Sequence, residues 1–187
     1  GKLSREIIKD YAEQYYHHVK AFPRYISATH SICENIADRK ILLENLNDEE
    51  DKNNDHPKLW KQFAVALGAD ENEIEKVKLE KFTSEMIDNF FKQGRSTYAE
   101  GLASLYTYER QIPEIADVKI EGLKKFYGVN SESGLAFFET HKKADVYHRQ
   151  ECEVLLDNLS KDDQAKAETA ALKTAKHLWN FLSGIAQ

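Results

Sequence analysis

The sequence predicts an all-α protein, a compact bundle of seven or eight helices. Three observations carry that expectation. Apolar residues recur at steps of three and four along most of the chain, as one face of an α-helix requires. Alternating β-branched runs are almost absent. Only three prolines and eight glycines punctuate 187 residues, so the periodic segments are long and their connections short.

The first helix is expected to begin after Ser4 as N-cap, to carry Ile8, Tyr11, Tyr15, His18 and Phe22 inward, and to break or kink at Pro23. A second element over roughly 24–36 presents Ile26, Ile32, Cys33 and Ile36. A third, 38–50, runs through Leu42, Leu46 and Glu49. The polar stretch DKNND (51–55) reads as a loop, after which Pro57 suits a helix start and Gly68 its stop, with Leu59, Trp60, Phe63 and Leu67 inside. Residues 69–81 are so highly charged that a surface excursion is expected. A helix over 83–93 follows, with Met86, Ile87, Phe90 and Phe91. Another begins near Ser96, passes Tyr98, Leu102, Leu105 and Glu109, and is interrupted at Pro113. The helix over 114–127 uses Ile115, Val118, Leu123 and Phe126 and stops at Gly128. A long helix over 133–158 and a last one from a Ser160 cap through Ala171, Ala175, Leu178, Leu182 and Ile185 complete the chain.

Composition bounds the function. Apolar residues make up 41% and charged residues 31%, a globular balance sized for one domain. The 26 Lys+Arg against 32 Asp+Glu leave a net charge of −6, so no global basic field exists to hold nucleic acid or an anionic membrane. No apolar run reaches the ~20 residues of a spanning helix, and no signal-peptide pattern opens the chain. Two cysteines, Cys33 and Cys152, are too few for a disulfide scaffold and imply reduced thiols in a cytoplasmic protein.

The stretch FFETHKKADVYHRQECEVLL (137–156) breaks its own amphipathic pattern. Phe138, His141, Asp145, His148, Cys152 and Leu155 share one stripe, so two imidazoles and a carboxylate face the core. Glu109 continues the Tyr98, Leu102, Leu105 stripe, and Glu49 the Leu42, Leu46 stripe, although Glu50 next to it is a competing choice. His56 opens a helix whose apolar residues point inward. Singly, each residue has a structural explanation. Together, three carboxylates and three imidazoles, with neighbouring bases such as Lys142, Lys143 and Arg149 on other helix faces, need a shared cation. Two divalent ions would balance three carboxylates and leave about one positive charge for a bridging hydroxide or a reduced oxygen species. A mixed N/O shell without thiolate suits iron or manganese, and Asp145-x-x-His148 is a variant of the Glu-x-x-His element of di-iron bundles.

Glu49-x6-His56, Glu109 within LYTYERQIP and His141-x3-Asp145-x2-His148 resemble the ligand pattern of heme-oxygenase-like diiron oxygenases. The stretches DYAEQYYHHVKAFPRYISATHS (10–31), LLENLNDEED (42–51), HPKLWKQFAVALG (56–68), SLYTYERQIPEIADVKIEGLKKFYG (104–128) and FFETHKKADVYHRQE (137–151) closely resemble the family of the Chlamydia protein associating with death domains. That family is related to the pyrroloquinoline-quinone biosynthesis protein C and to TenA. The resemblance covers nearly the whole chain and is weakest in 69–96.

It implies a heme-oxygenase-like bundle and a self-sacrificing para-aminobenzoate synthase serving folate biosynthesis. Two metal ions are implied, iron first or an iron–manganese pair, with molecular oxygen and a reductant; one of the protein's own tyrosines supplies the ring. The amino donor carries over to Lys119, whose burial would lower its pKa, the alternative being a lysine that snorkels to the surface. Tyr108, beside Glu109, is a candidate redox relay or secondary oxidation site, with a core tyrosine as the alternative reading. The family's sacrificial tyrosine precedes the segment that here begins GKLSREIIKDYAEQYYHH, so its first helix is expected to lie outside this chain. A homodimer is implied, and the family name adds host death-domain proteins as partners and export into a host as an alternative location. Competing readings are a cofactorless oxidase, a TenA-like enzyme, which would require a positioned cysteine nucleophile, and a death-domain-binding interaction protein.

Overall fold

The computed structural model describes residues 1–186, apart from the side chains of residues 113 and 143–147. Among these, eight α-helices and one 3₁₀ turn form, with no strand. Helix α1 is Arg5–Ile32, α2 Ile36–Glu49, α3 His56–Ala66, α4 Lys81–Gly94, α5 Tyr98–Glu109, α6 Ile112–Tyr127, α7 Glu132–Asp157 and α8 Lys161–Ile185; the 3₁₀ turn is Ile74–Lys76.

Local chemistry sets the starts. Ser4, Asn35, Asp55, Thr97, Ser131 and Ser160 each accept a backbone N–H of the following helix on a side-chain oxygen. The expected caps Ser4 and Ser160 are among them. Thr97, one residue beyond the expected Ser96, also donates to Glu100, which completes a reciprocal cap. Gly128 ends α6 at φ 67° and Gly68 follows α3 at φ 101°, left-handed conformations that a Cβ disfavours.

Helix α1 runs through the middle of the bundle, packed on α2, α3, α4 and α5, and also touches α8. Helices α4, α5 and α8 pack together on one side, and α3, α6 and α7 on the other. Glycines bring three helices close at one point. A Cβ added at Gly101 of α5 would stand 2.5 Å from Thr29 Oγ1 of α1, and 3.2 Å from the Cα of Gly94 in α4.

Four expectations are corrected. Pro23 does not break the chain into two elements: α1 is one helix of 28 residues, because buried Phe22, Tyr25 and Ile26 on either side offset the ~3 kcal/mol that an interior proline costs. The separate element at 24–36 therefore does not exist, and Ile32 and Ile36, expected inside, are exposed. In α6, Val118 and Phe126 face outward and Ile115 sits at the cavity edge, whereas Ala116, Ile120 and the expected Leu123 are buried. In α8, Leu182 and Ala175 are exposed, whereas Thr174 and Phe181 are buried. Residues 69–81 are largely a surface excursion as expected, but fully buried Ile74 pins it to the core. No helix among the described residues is long and apolar enough to cross a membrane.

Candidate metal centre

Three of the six expected ligands meet in the structure. Glu49 ends α2, His56 opens α3 and His141 lies midway along α7, and their ligand atoms all fall within 4.8 Å of one another. All three are buried. Glu50 is exposed, so the choice between the two glutamates falls on Glu49. Glu49 Oε2 lies 2.8 Å from His56 Nδ1, close enough to pair but without hydrogen-bond alignment, and the rings of His56 and His141 are 4.2 Å apart. His141 places Nδ1 2.7 Å from the carbonyl of Phe137, one turn back, which suits an Nδ1–H donor and leaves Nε2 as the free electron pair. That is the arrangement a metal-binding imidazole needs.

Glu109 and His148 line the same interior. Glu109 is 3% exposed, accepts from Asn45 Nδ2 at 2.6 Å and from the Cys152 thiol at 3.7 Å. Burial and then Glu49 push its carboxyl up against the pull of Asn45 and His148, to about 7. His148 Nε2 is 3.0 Å from Asp48 Oδ2. The side chain of Asp145, the remaining expected ligand, lies outside the described residues.

Burial works against a charged His56, but Glu49 together with Asp48 and Asp55 outweighs it and raises the imidazole's pKa; His141 is driven well below the usual range by burial and then by the charge of His56. These groups hold one another in compromised protonation states. A divalent cation would remove the conflict by accepting both the carboxylates and the neutral imidazoles. The donors are oxygen and nitrogen, the set expected for iron or manganese. Cys152 is no nucleophile: burial, followed by Glu109, raises its thiol well above the usual range. Cys33 is likewise raised by burial.

A cavity of about 490 Å³ adjoins the centre, its wall formed by Tyr11, Tyr15, Trp60, Tyr108, Phe137 and Lys119 among others. Phe137 joins the two sites, since its ring also lies 3.9 Å from that of His141. Lys119 is half-buried, lines the cavity beside Ile115 and Ala116, and donates to Tyr11 Oη at 2.7 Å. It does not snorkel freely into solvent. Tyr108 is buried, packs on Phe22 with centroids 4.6 Å apart, and hydrogen-bonds to Tyr15. It is a core tyrosine and a cavity wall at once.

The sequence reading missed Asn45 and Asp48. Asn45 was legible in principle, since it sits three residues after Leu42 and four before Glu49, on the same inner stripe.

Comparison with known proteins agrees with this geometry. A family model described as an iron-containing redox enzyme matches residues 9–181. The chain is 39% identical to the 4-aminobenzoate synthase of Chlamydia muridarum over 188 residues, covering 100% of this chain and 80% of that protein. It is 39% identical to the enzyme of the same name from Nitrosomonas europaea, covering 99% and 80%. Among solved structures, a TenA homolog from Pseudomonas syringae superposes with a TM-score of 0.83 at 18% identity, over 98% of this chain and 80% of that one. A domain with a heme oxygenase-like fold from Shewanella denitrificans gives 0.81 at 15%, over 99% and 79%. The fold is therefore heme-oxygenase-like, and the chain belongs to the iron-containing redox enzyme family.

Proposed function

We propose that this protein is a 4-aminobenzoate synthase that uses a dinuclear iron or iron–manganese centre to turn one of its own tyrosine side chains into the product ring. The observation that carries the reading is the juncture at Phe137: a buried Glu49–His56–His141 cluster on one side, and on the other a tyrosine-lined cavity with a lysine amine in it. The identity to named 4-aminobenzoate synthases supports it.

Glu49, His56, Glu109, His141, Asp145 and His148 would hold the metal ions, which when bound supply the activation of molecular oxygen. The chain's own residues do the rest. Asn45 orients Glu109, and the Phe137 carbonyl orients His141. The rings of Trp60, Phe137 and Phe138 give the cavity an apolar wall. Lys119 is the amino donor, its Nζ held toward the cavity by Tyr11.

Anaerobic iron loading of the full-length protein followed by oxygen exposure, with mass spectrometry of small molecules and intact protein, tests the reading. Release of 4-aminobenzoate is expected together with loss of an aromatic side chain from the protein, and Lys119→Met should abolish it. An iron-loaded protein that consumes oxygen without either change would overturn the assignment.

A further inference from the structure

The cavity holds a positive group for which the described residues provide no counter-charge. Lys119 Nζ lies 5.0 Å from the ring centroid of Tyr11, 5.6 Å from Phe138, 5.9 Å from Tyr15 and 6.0 Å from Trp60. An ammonium has three donors, and the hydrogen bond to Tyr11 occupies one. Acidic neighbours on α6 are engaged elsewhere: Asp117 with Lys142 at 2.5 Å and Glu114 with Arg149 at 2.9 Å. Among the described residues no carboxylate lies within ion-pair reach of this amine. Around it stand ring faces and aliphatic side chains from α1, α3, α6, α7 and α8.

A ligand suited to this place needs one anionic group small enough to reach a single amine, attached to a flat apolar body. We propose that the cavity binds free aromatic monocarboxylates, with the carboxylate on Lys119 and the ring against Trp60 and Phe138. A charge-assisted hydrogen bond in an apolar surround and edge-to-face ring contacts supply the recognition. If the protein makes 4-aminobenzoate, its own product belongs to this class; that clause rests on the function proposed above, whereas the aromatic-acid site does not. A bound acid engages the Lys119 amine and fills the space beside it, so unreacted protein is spared while the acid is plentiful.

Binding is measured on metal-stripped protein, so that no metal ion can capture the carboxylate. Calorimetric titration with 4-aminobenzoate and benzoate is compared with titration of the neutral amides 4-aminobenzamide and benzamide. The acids are expected to bind at least tenfold more tightly than the amides, and Lys119→Met to erase that preference. Acid and amide binding alike to the wild-type protein, no binding of either acid, or a preference that survives in Lys119→Met would overturn the proposal. The wild-type comparison stands whether or not the variant folds. Acid binding by a protein that makes no 4-aminobenzoate after iron loading would sink the functional reading and leave this site intact.

Discussion

His18 and the His56–His141 pair are equally buried, yet the core treats them in opposite ways. His18 is fully enclosed by Tyr15, Phe22, Tyr25, Phe90 and Tyr108, all with ring centroids within 6.0 Å. Both of its ring nitrogens lack a hydrogen-bond partner among the described residues, and burial alone pushes its pKa down to about 3. It is neutral and serves as one more aromatic ring. His56 and His141 have Glu49 among them, with Glu109 and His148 nearby. Burial makes a histidine uncharged; acidic company makes it a ligand. The aromatic end should therefore carry stability, and the acidic end function at some expense of stability.

The sharpest break in the comparison would come from His141→Ala. Metal content measured after loading should fall below one ion per chain, and product formation by more than about 100-fold, given that even outer-sphere partners of a metal cost 10–100-fold. The fold, followed by circular dichroism, should persist. At the aromatic end, Phe90→Ala should do the reverse. It removes a ring stacked 4.9 Å from Tyr25 and 4.9 Å from His18, and chemical denaturation should report a loss of about 3–5 kcal/mol. Iron uptake by the remaining folded fraction should survive.

Glu109→Gln separates the two ends another way. Metal uptake should be lost, while the metal-free variant should melt at a higher temperature than the metal-free wild type at pH 8, because it no longer buries a carboxylate without a cation. An equal or lower melting temperature would refute the claim that the acidic end is held at a cost.

Protonation distinguishes His18 from the ligands as well. Its folded pKa lies below the unfolded value of 6.5, so the unfolded chain binds the extra proton between about pH 6.5 and 3 and stability falls as pH drops through that window. Between pH 7 and 5 the loss is on the order of 2 kcal/mol. Urea titrations of His18→Leu at the two pH values should show that part of the slope removed. The smallest effect is expected at the rim, where Tyr98 donates to Asp38 at 3.0 Å: Tyr98→Phe should cost about 1 kcal/mol and leave metal content unchanged.

Much of this architecture is legible in the sequence for physical reasons. Capping residues and apolar periodicity are local, so the helices and the Ser4 and Ser160 starts can be read directly. Glu49, His56, Glu109, His141 and His148 could be found because a polar residue on an apolar stripe is a conflict visible in one dimension, and all five are buried. The rest depends on what covers each face. Helix α6 offers two apolar sides, Ile115–Val118–Phe126 and Ala116–Ile120–Leu123, and periodicity cannot choose between them; packing against α7 does. Pro23 looked like a break because its local cost is certain while the burial that offsets it comes from distant helices. Asp48 could not be singled out, since its partner His148 is 100 residues away. The cavity draws on six helices and has no signature in any of them.

The contact at Gly101 acts as a depth gauge. With its Cβ position blocked by Thr29 and the Gly94 backbone close by, α5 can advance along α1 only so far. Glu109 stands eight residues further along the same helix, about 12 Å at 1.5 Å per residue, and the helix ends there. The glycine therefore fixes how far the carboxylate reaches into the interior without touching it. A single added methyl group would be transmitted down two turns of helix as a shift of the Glu109 oxygens against His148 and Asn45, so the tolerance of the metal centre is set at a helix crossing where no ligand stands.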